Sequence, residues 1–514
     1  MFEVSAIYAL DGPNFPKILS IHELSRKGYD MKKTQSTKAS EMSRRKFLQA
    51  VSTTAAGIPL GSKVRLAASS PAKGSGPAKR TATVQGAFVY PPTEAVKKTG
   101  YYSWPGSSFN PEQRQKEYMA RIRDMEKKLG MRISMEKYPL DDMDSAVQFI
   151  NRVKQSKPDG LLLVPFKKYH WDRVMRIIEE VQIPTVVLAT LGILLVDHIN
   201  QLHRRPGVYL INSLDNLDAV EDGMRMIRTA CWMKESCIVS IAGSQLKETQ
   251  VPHLGTRVRS VPGARFIEEF GQMKATEPVA ELAKSYLKNA QEVVQPTQAD
   301  IQDAAKTYFV LKQIIQKEKA DAVMMDCLPG LRLPRKHPPP CMGFMSLRDE
   351  GVAAGCQADL NATLTLMLVQ QLFGKPGFQQ NASMETEKNC YFGAHCTCAS
   401  KLSGTAGPSQ PYILMSHAEA GWGCVPRVLW PVGCEVTMAE YLSGKTPQMY
   451  IYSGKVVGCP SIPATGGCRT NIEMTINEVD DVCDVKGMHQ IIFYGNHTEQ
   501  LRTFCQLYGI AVAT

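Results

Sequence analysis

The pattern of apolar and polar positions in this chain changes period repeatedly, and from about residue 81 onward that change is the main structural signal. Short apolar runs at Ala82–Tyr90, Met131–Lys137, Gly160–Pro165, Thr185–Ala189, Gly207–Ile211 and Cys237–Ile241 read as strands. Between them, amphipathic stretches at Pro111–Leu129, Asp144–Gln155, Tyr169–Val181 and Asp215–Trp232 read as helices. Strands separated by helices of this length imply right-handed crossovers and a parallel sheet covered on both faces. The alternation resumes after Gln245, with a strand expected near Ala264–Glu269, helices over Ala280–Asn289 and Asp300–Lys317, and a strand at Ala320–Met325. An apolar-rich helix over Gly355–Phe373 ends at Gly374 and Pro376, the residue types that stop a helix. Beyond it, Gly and Pro punctuate short strands. The expected fold is therefore α/β, with two Rossmann-like parallel-sheet domains followed by a mostly β C-terminal domain. The boundaries fall at residues 1–80 (export signal and linker), 81–244, 245–400 and 401–514.

Length and composition fit that division. The 514 residues are 44% hydrophobic and 21% charged, ordinary values for several globular units. The stretch Ile183–Val196 is too short to span a bilayer and reads as a buried strand with its exit, so no membrane span is expected in the mature chain.

Charge changes the picture at the front. Residues 1–80 hold 14 of the 60 Lys/Arg and 5 of the 49 Asp/Glu, so the net charge of +11 leaves only +2 for the remainder. The folded part lacks the cationic excess that a phosphate backbone demands, and nucleic acid is not an expected partner. Inside the basic front, Ser43-Arg44-Arg45-Lys46-Phe47-Leu48 precedes a mildly apolar Ala/Thr-rich stretch to Leu60 and then a small-residue segment. This resembles a bacterial twin-arginine signal, which implies export to the periplasm by that translocation machinery, with an initiator at Met31 or Met42. All fourteen cysteines lie at or beyond Cys231, twelve of them from Cys327 onward. The twin-arginine route carries proteins already folded in a reducing compartment, so free thiols and bridges both remain open.

Candidate chemistry concentrates in three segments: Cys356-Gln357-Ala358-Asp359 at a helix start, Glu385 to His395 (ETEKNCYFGAH), and Gly487 to His497 (GMHQIIFYGNH). A divalent cation that polarises hydroxyl and carbonyl oxygens wants oxygen and imidazole ligands converging from separate elements. Each residue also has a plainer reading: His395 as a core histidine, Asp359 as a helix N-cap, Glu385 and Glu387 as solvated loop carboxylates, His497 as a turn residue. Cys390, Cys396 and Cys398 lack the paired Cys-x-x-Cys spacing of structural zinc sites.

Gly393-Ala394-His395 after an apolar run, Met488-His489-Gln490-Ile491-Ile492-Phe493 before a closing helix, and the Gln357–Asp359 segment resemble segments of the L-fucose/L-arabinose isomerase type of sugar ketol isomerases. The resemblance covers about residues 340–514. It implies a manganese-dependent aldose–ketose isomerase acting on a pentose or deoxyhexose through an enediol, assembled as a trimer or hexamer. Carried over, Glu385, His395, His489 and Gln357 would be metal ligands and Glu385 and Asp359 the catalytic carboxylates; since sugar hydroxyls need planar donors and stacking faces, Arg469, Trp422 and His417, with Glu419, are the candidate sugar pocket. The chain departs from the family at Gln357, where an acidic ligand and base is expected; an amide cannot shuttle a proton near neutral pH. Asp359 or Glu350 would have to substitute. The alternative that Gln357 allows is a noncatalytic periplasmic sugar-binding or sensing protein on the same fold.

Overall fold

The computed structural model describes residues 78–100, 106–214, 216–461 and 467–513. The twin-arginine segment and its linker up to residue 77 lie outside the described residues.

Five strands form the first sheet: β1 (Thr83–Val89), β2 (Arg132–Met135), β3 (Gly160–Pro165), β4 (Thr185–Thr190) and β5 (Val208–Ser213), in spatial order β2-β1-β3-β4-β5. All neighbours are parallel. The centre strand β3, GLLLVP, is buried at every position, as a strand covered on both faces by helices must be. The covering helices carry the expected stripe. Over Met143–Ser156, Ala146, Phe149, Ile150 and Val153 face the core at spacings of three and four, and Asp142 starts the helix through a capping box with Ser145. The Ile183–Val196 stretch contributes β4 and its exit turn, and no described helix is long and apolar enough to cross a membrane.

The second sheet is built from β6 (Cys237–Ile241), β7 (Lys247–Gln250), β8 (Arg257–Val261), β10 (Ala322–Met325) and β11 (Ala353–Cys356), ordered β11-β10-β6-β8-β7. Only the edge strand β7 runs antiparallel to its neighbour. Strand β9 (Ala290–Val293) joins a small separate sheet with β15 (Tyr412–Met415) and β16 (Val425–Val428). Two expectations are corrected here. Cys237–Ile241 pairs in the second sheet rather than the first, because a continuous β-α rhythm carries no mark where one sheet gives way to the next. Ala264–Gln272 is a helix, not a strand: Phe266 and Glu269 turn inward three residues apart, and the strand before it is β8.

Beyond residue 376 the chain is mostly antiparallel. Strands β12 (Phe378–Gln379), β13 (Asn381–Glu385), β14 (Cys390–His395), β17 (Glu435–Leu442), β18 (Gln448–Gly458), β19 (Thr470–Met474) and β20 (Ile491–Tyr494) line up as β12-β20-β17-β18-β19-β14-β13, with β21 (Ala511–Ala513) parallel to β18. Helix Leu360–Phe373 is buried continuously from Ala362 to Leu372. A helix apolar on all sides needs a partner on each side. Leu364 and Leu368 share one core with Ala322 and Met324 of the second sheet and with Tyr441, Ile491 and Phe493 of the antiparallel sheet. Its amino-terminal end therefore emerges where the carboxyl ends of β10 and β11 meet the antiparallel sheet, the place where open α/β sheets bind ligands.

Candidate functional site

The connection from β11 into this helix is a tight, strained turn. Gln357 (φ 57°) and Ala358 (φ 51°) both adopt the left-handed conformation, at a cost on the order of 1–2 kcal/mol for each side-chain-bearing residue. Backbone bonds hold it in place, with Ala358 N–H donating to Met325 C=O at 3.0 Å and Asp359 N–H to Cys356 C=O at 3.2 Å. The buried amide of Gln379 fixes the end of β11, accepting from Cys356 N–H at 2.9 Å and donating to its carbonyl at 3.1 Å.

Asp359 then does two things. Its Oδ1 accepts the Ala362 N–H at 2.8 Å and so caps the helix, while Oδ2 lies 2.7 Å from His489 Nδ1. Burial opposes ionisation, but the hydrogen bond from His489 and the Ala362 amide hold the Asp359 carboxyl below the usual range. The ionised carboxylate can only accept, so His489 carries its proton on Nδ1. His489 Nε2 donates to Asn381 Oδ1 at 2.7 Å. That second contact is set by the backbone: Gln380 and Ala382 donate to the Gln490 and Met488 carbonyls, which places Asn381 opposite His489.

His395, fully buried at the end of β14, packs its ring edge-on against His489 with centroids 6.0 Å apart. Burial, reinforced by the charge of Arg348, pushes its pKa down to about 3, so the ring is neutral. Glu440 was missed by sequence reasoning. It is buried on β17, accepts the Met488 N–H at 3.1 Å, and is held above the usual carboxylate range by burial, with Asp359 also facing it. Neither Glu440 nor Asn381 stands in a recognisable motif; only the pairing of β17 and β13 with the His489 segment brings them in.

The strand register corrects the place of Glu385. It pairs with Cys390 at the turn end of the β13–β14 hairpin, whereas His395 ends the same strand five residues further on, about 16 Å away at ~3.3 Å per residue. Glu385 accepts instead from the Glu387 amide. Glu350 is also elsewhere, bound to Tyr308 and Lys312. His497 stacks on Phe373 with centroids 4.4 Å apart.

The expected sugar-pocket residues gather around one loop. His417 and Glu419 line a cleft of about 390 Å³ with Leu328, Leu331, Arg332 and Arg335. Trp422 donates to the Leu331 carbonyl at 3.4 Å and lies beneath the Arg335 guanidinium, 4.7 Å from ring centroid to Cζ. Arg469 is tied to the Ser416 carbonyl at 2.8 Å, and burial with its charge pushes His417 down to about 4. Of the expected pocket residues, His417 and Glu419 line the cleft, whereas Trp422 and Arg469 are not among its lining residues.

No family model matches the chain, and no curated protein does. Among solved structures, a solute-binding protein of an ABC transporter from Burkholderia multivorans, with an unknown ligand interpreted as α-D-erythrofuranose, aligns at 10% identity over 53% of this chain and 92% of that one. Its TM-score of 0.15 carries no argument about fold or ligand.

Proposed function

We propose that this chain is a sugar ketol isomerase-like protein whose reacting centre is the Asp359–His489 pair. The observation that carries the reading is the 2.7 Å contact between Asp359 Oδ2 and His489 Nδ1, which orients the imidazole at the carboxyl edge of the second sheet with Nε2 turned towards Asn381. In the proposed reaction an open-chain aldose displaces the Asn381 oxygen, and Nε2, its proton released to solvent, becomes the base. His489 takes the proton from C2 as the C1 carbonyl becomes an enediol oxygen, and returns it to C1 while a proton moves from the C2 oxygen to the C1 oxygen. The ionised Asp359 stabilises the imidazolium formed in between. Burial holds the Glu440 carboxyl above the usual carboxylate range, which opposes a second negative charge beside it.

The manganese shell implied by the resemblance does not fit the donors. It calls for two acidic ligands, yet Gln357 offers an amide, Glu385 is at the far end of its hairpin, and Asp359 is engaged by the helix amide and by His489. No step is routed through that ion. The amides of Gln357 and Asn381 favour the second reading, a noncatalytic periplasmic sugar-binding protein that keeps the cleft lined by His417 and Glu419. The paired arginines at 44 and 45 support export by the twin-arginine route under either reading.

Incubation with a panel of aldoses, with and without added divalent cation, separates the two. Ketose formation that is lost in His489→Ala supports the isomerase. Saturable binding of an aldose without turnover supports the binding protein and overturns the isomerase.

A further inference from the structure

Twelve of the fourteen cysteines follow residue 326, and the fold draws several of them into one buried cluster beneath the site. Cys327 follows β10, Cys341 opens the helix Cys341–Asp349, Cys356 ends β11, and Cys396 follows β14. All four are free, and all are buried. Cys327 and Cys356 place their sulfurs 3.6 Å apart. Cys356, Cys396 and His395 hold their ligand atoms within 4.8 Å of one another, and so do Cys341, Cys396 and His417. Cys396 belongs to both groups.

Two further observations point to an ion rather than to a fortuitous nest of thiols. Cys396 Sγ lies 3.6 Å from His395 Nδ1, which is the edge expected between sulfur and nitrogen ligands of a tetrahedral ion with bonds of about 2.3 and 2.0 Å. His395 is fully buried, and Nδ1 is the ring nitrogen it turns to this sulfur. Arg348 is 2% exposed, and its Nη2 and Nε groups donate to the Ala354 carbonyl while Nη1 is unpartnered; the ionisable groups facing it include Cys398, Cys356, Cys396, Cys341 and His395. A buried cation needs a compensating anion, and no carboxylate is among those groups.

We propose that Cys356, Cys396 and His395, with Cys341 beside Cys396 as fourth ligand, form a structural site for a soft divalent cation of the zinc type. Each of the three thiols gives its proton to solvent on ligation. Three thiolates, a divalent ion and the Arg348 guanidinium then sum to zero charge inside the core, which accounts for an arginine buried without a carboxylate. Thiolate and imidazole select zinc-like ions over the oxygen-seeking manganese. The site would tie β11, whose end forms the strained turn before Asp359, to the β14 strand that carries His395. The inference does not rest on the isomerase reading.

The test uses the full chain, purified under reducing conditions, stripped with chelator and titrated with Co2+ in the absence of sugar. The expected result is one Co2+ per chain with a thiolate-to-cobalt charge-transfer band that Zn2+ displaces. Cys396→Ser should weaken Co2+ binding by at least about tenfold, while Cys483→Ser, at an exposed position, leaves it unchanged. If Cys396→Ser fails to fold, the wild-type spectrum alone decides. Substoichiometric Co2+, or a bound ion with no thiolate band, overturns the proposal. None of these outcomes bears on the aldose assay.

Discussion

Asp359 spends one carboxylate oxygen on the Ala362 amide at 2.8 Å and the other on His489 Nδ1 at 2.7 Å, so a single side chain starts the central buried helix and sets the tautomer of the reacting imidazole. Stability and chemistry are thereby joined at one residue, and substitutions can part them.

Asparagine keeps a capping oxygen but not the charge. Asp359→Asn should lower stability by about 1 kcal/mol or less, whereas Asp359→Ala, which loses cap and pair together, should cost about 2 kcal/mol. Both should abolish turnover alike. Urea unfolding beside a ketose assay reads the two effects separately.

The strained turn gives a second prediction. Ala358 sits at φ 51°, where glycine carries no Cβ penalty. Ala358→Gly should stabilise the chain by about 0.5–1 kcal/mol, the relief of strain exceeding the added freedom of the unfolded chain. A lower urea midpoint would show that the turn is not strained as described.

Close packing behind that turn gives a third. A Cβ on Gly355 would come within 1.9 Å of Thr363 Oγ1 and 3.3 Å of Met324 Cβ. Gly355→Ala must push β11 away from its helix, with a loss of about 1–3 kcal/mol and a displaced Asp359. Thermal unfolding measures the loss.

Three imidazoles with strongly depressed pKa values dominate the acid response, and His170 and His337 are shifted in the same direction. His395 is pushed down to about 3, and His417 and His497 to about 4, in each case first by burial. An unfolded histidine takes up its proton near pH 6.5, so below that pH the unfolded chain binds more protons than the folded one and stability falls. The loss should run from about pH 6.5 down to pH 4 at up to roughly 1.4 kcal/mol per pH unit for each ring. Asp359, whose folded pKa is depressed, adds stability above the unfolded carboxylate value and loses it only at more acid pH. His497→Phe keeps the stack on Phe373 and should flatten the slope by one ring's share; an unchanged slope would contradict this.

Much of the scaffold could be read from local pattern because the physics there is local. Gly160–Pro165 is a central strand since it has no polar face, and Met143–Ser156 a helix since its apolar residues repeat at three and four behind a capping aspartate. The α/β sheets and the antiparallel end follow from such signals. Ala264–Gln272 was ambiguous because its short apolar stretch suits either period until neighbours bury Phe266. The site was harder. His395, His489 and Asp359 stood in motifs, and the fold brings them together. Glu385 stood in a motif too, but a hairpin register moves every residue along the strand, and spacing does not reveal it. Asn381, Glu440 and the thiols at 327, 341, 356 and 396 come together from segments far apart in the chain, where no periodicity could announce them.

Conversion of an aldose panel by the wild-type chain and by His489→Ala and Asp359→Asn, with binding followed in the same samples, tests the central claim most directly. Ketose should form with the wild type and vanish with either variant while the aldose still binds. Turnover that survives both substitutions, or a wild type that binds aldose and never converts it, would contradict the Asp359–His489 centre.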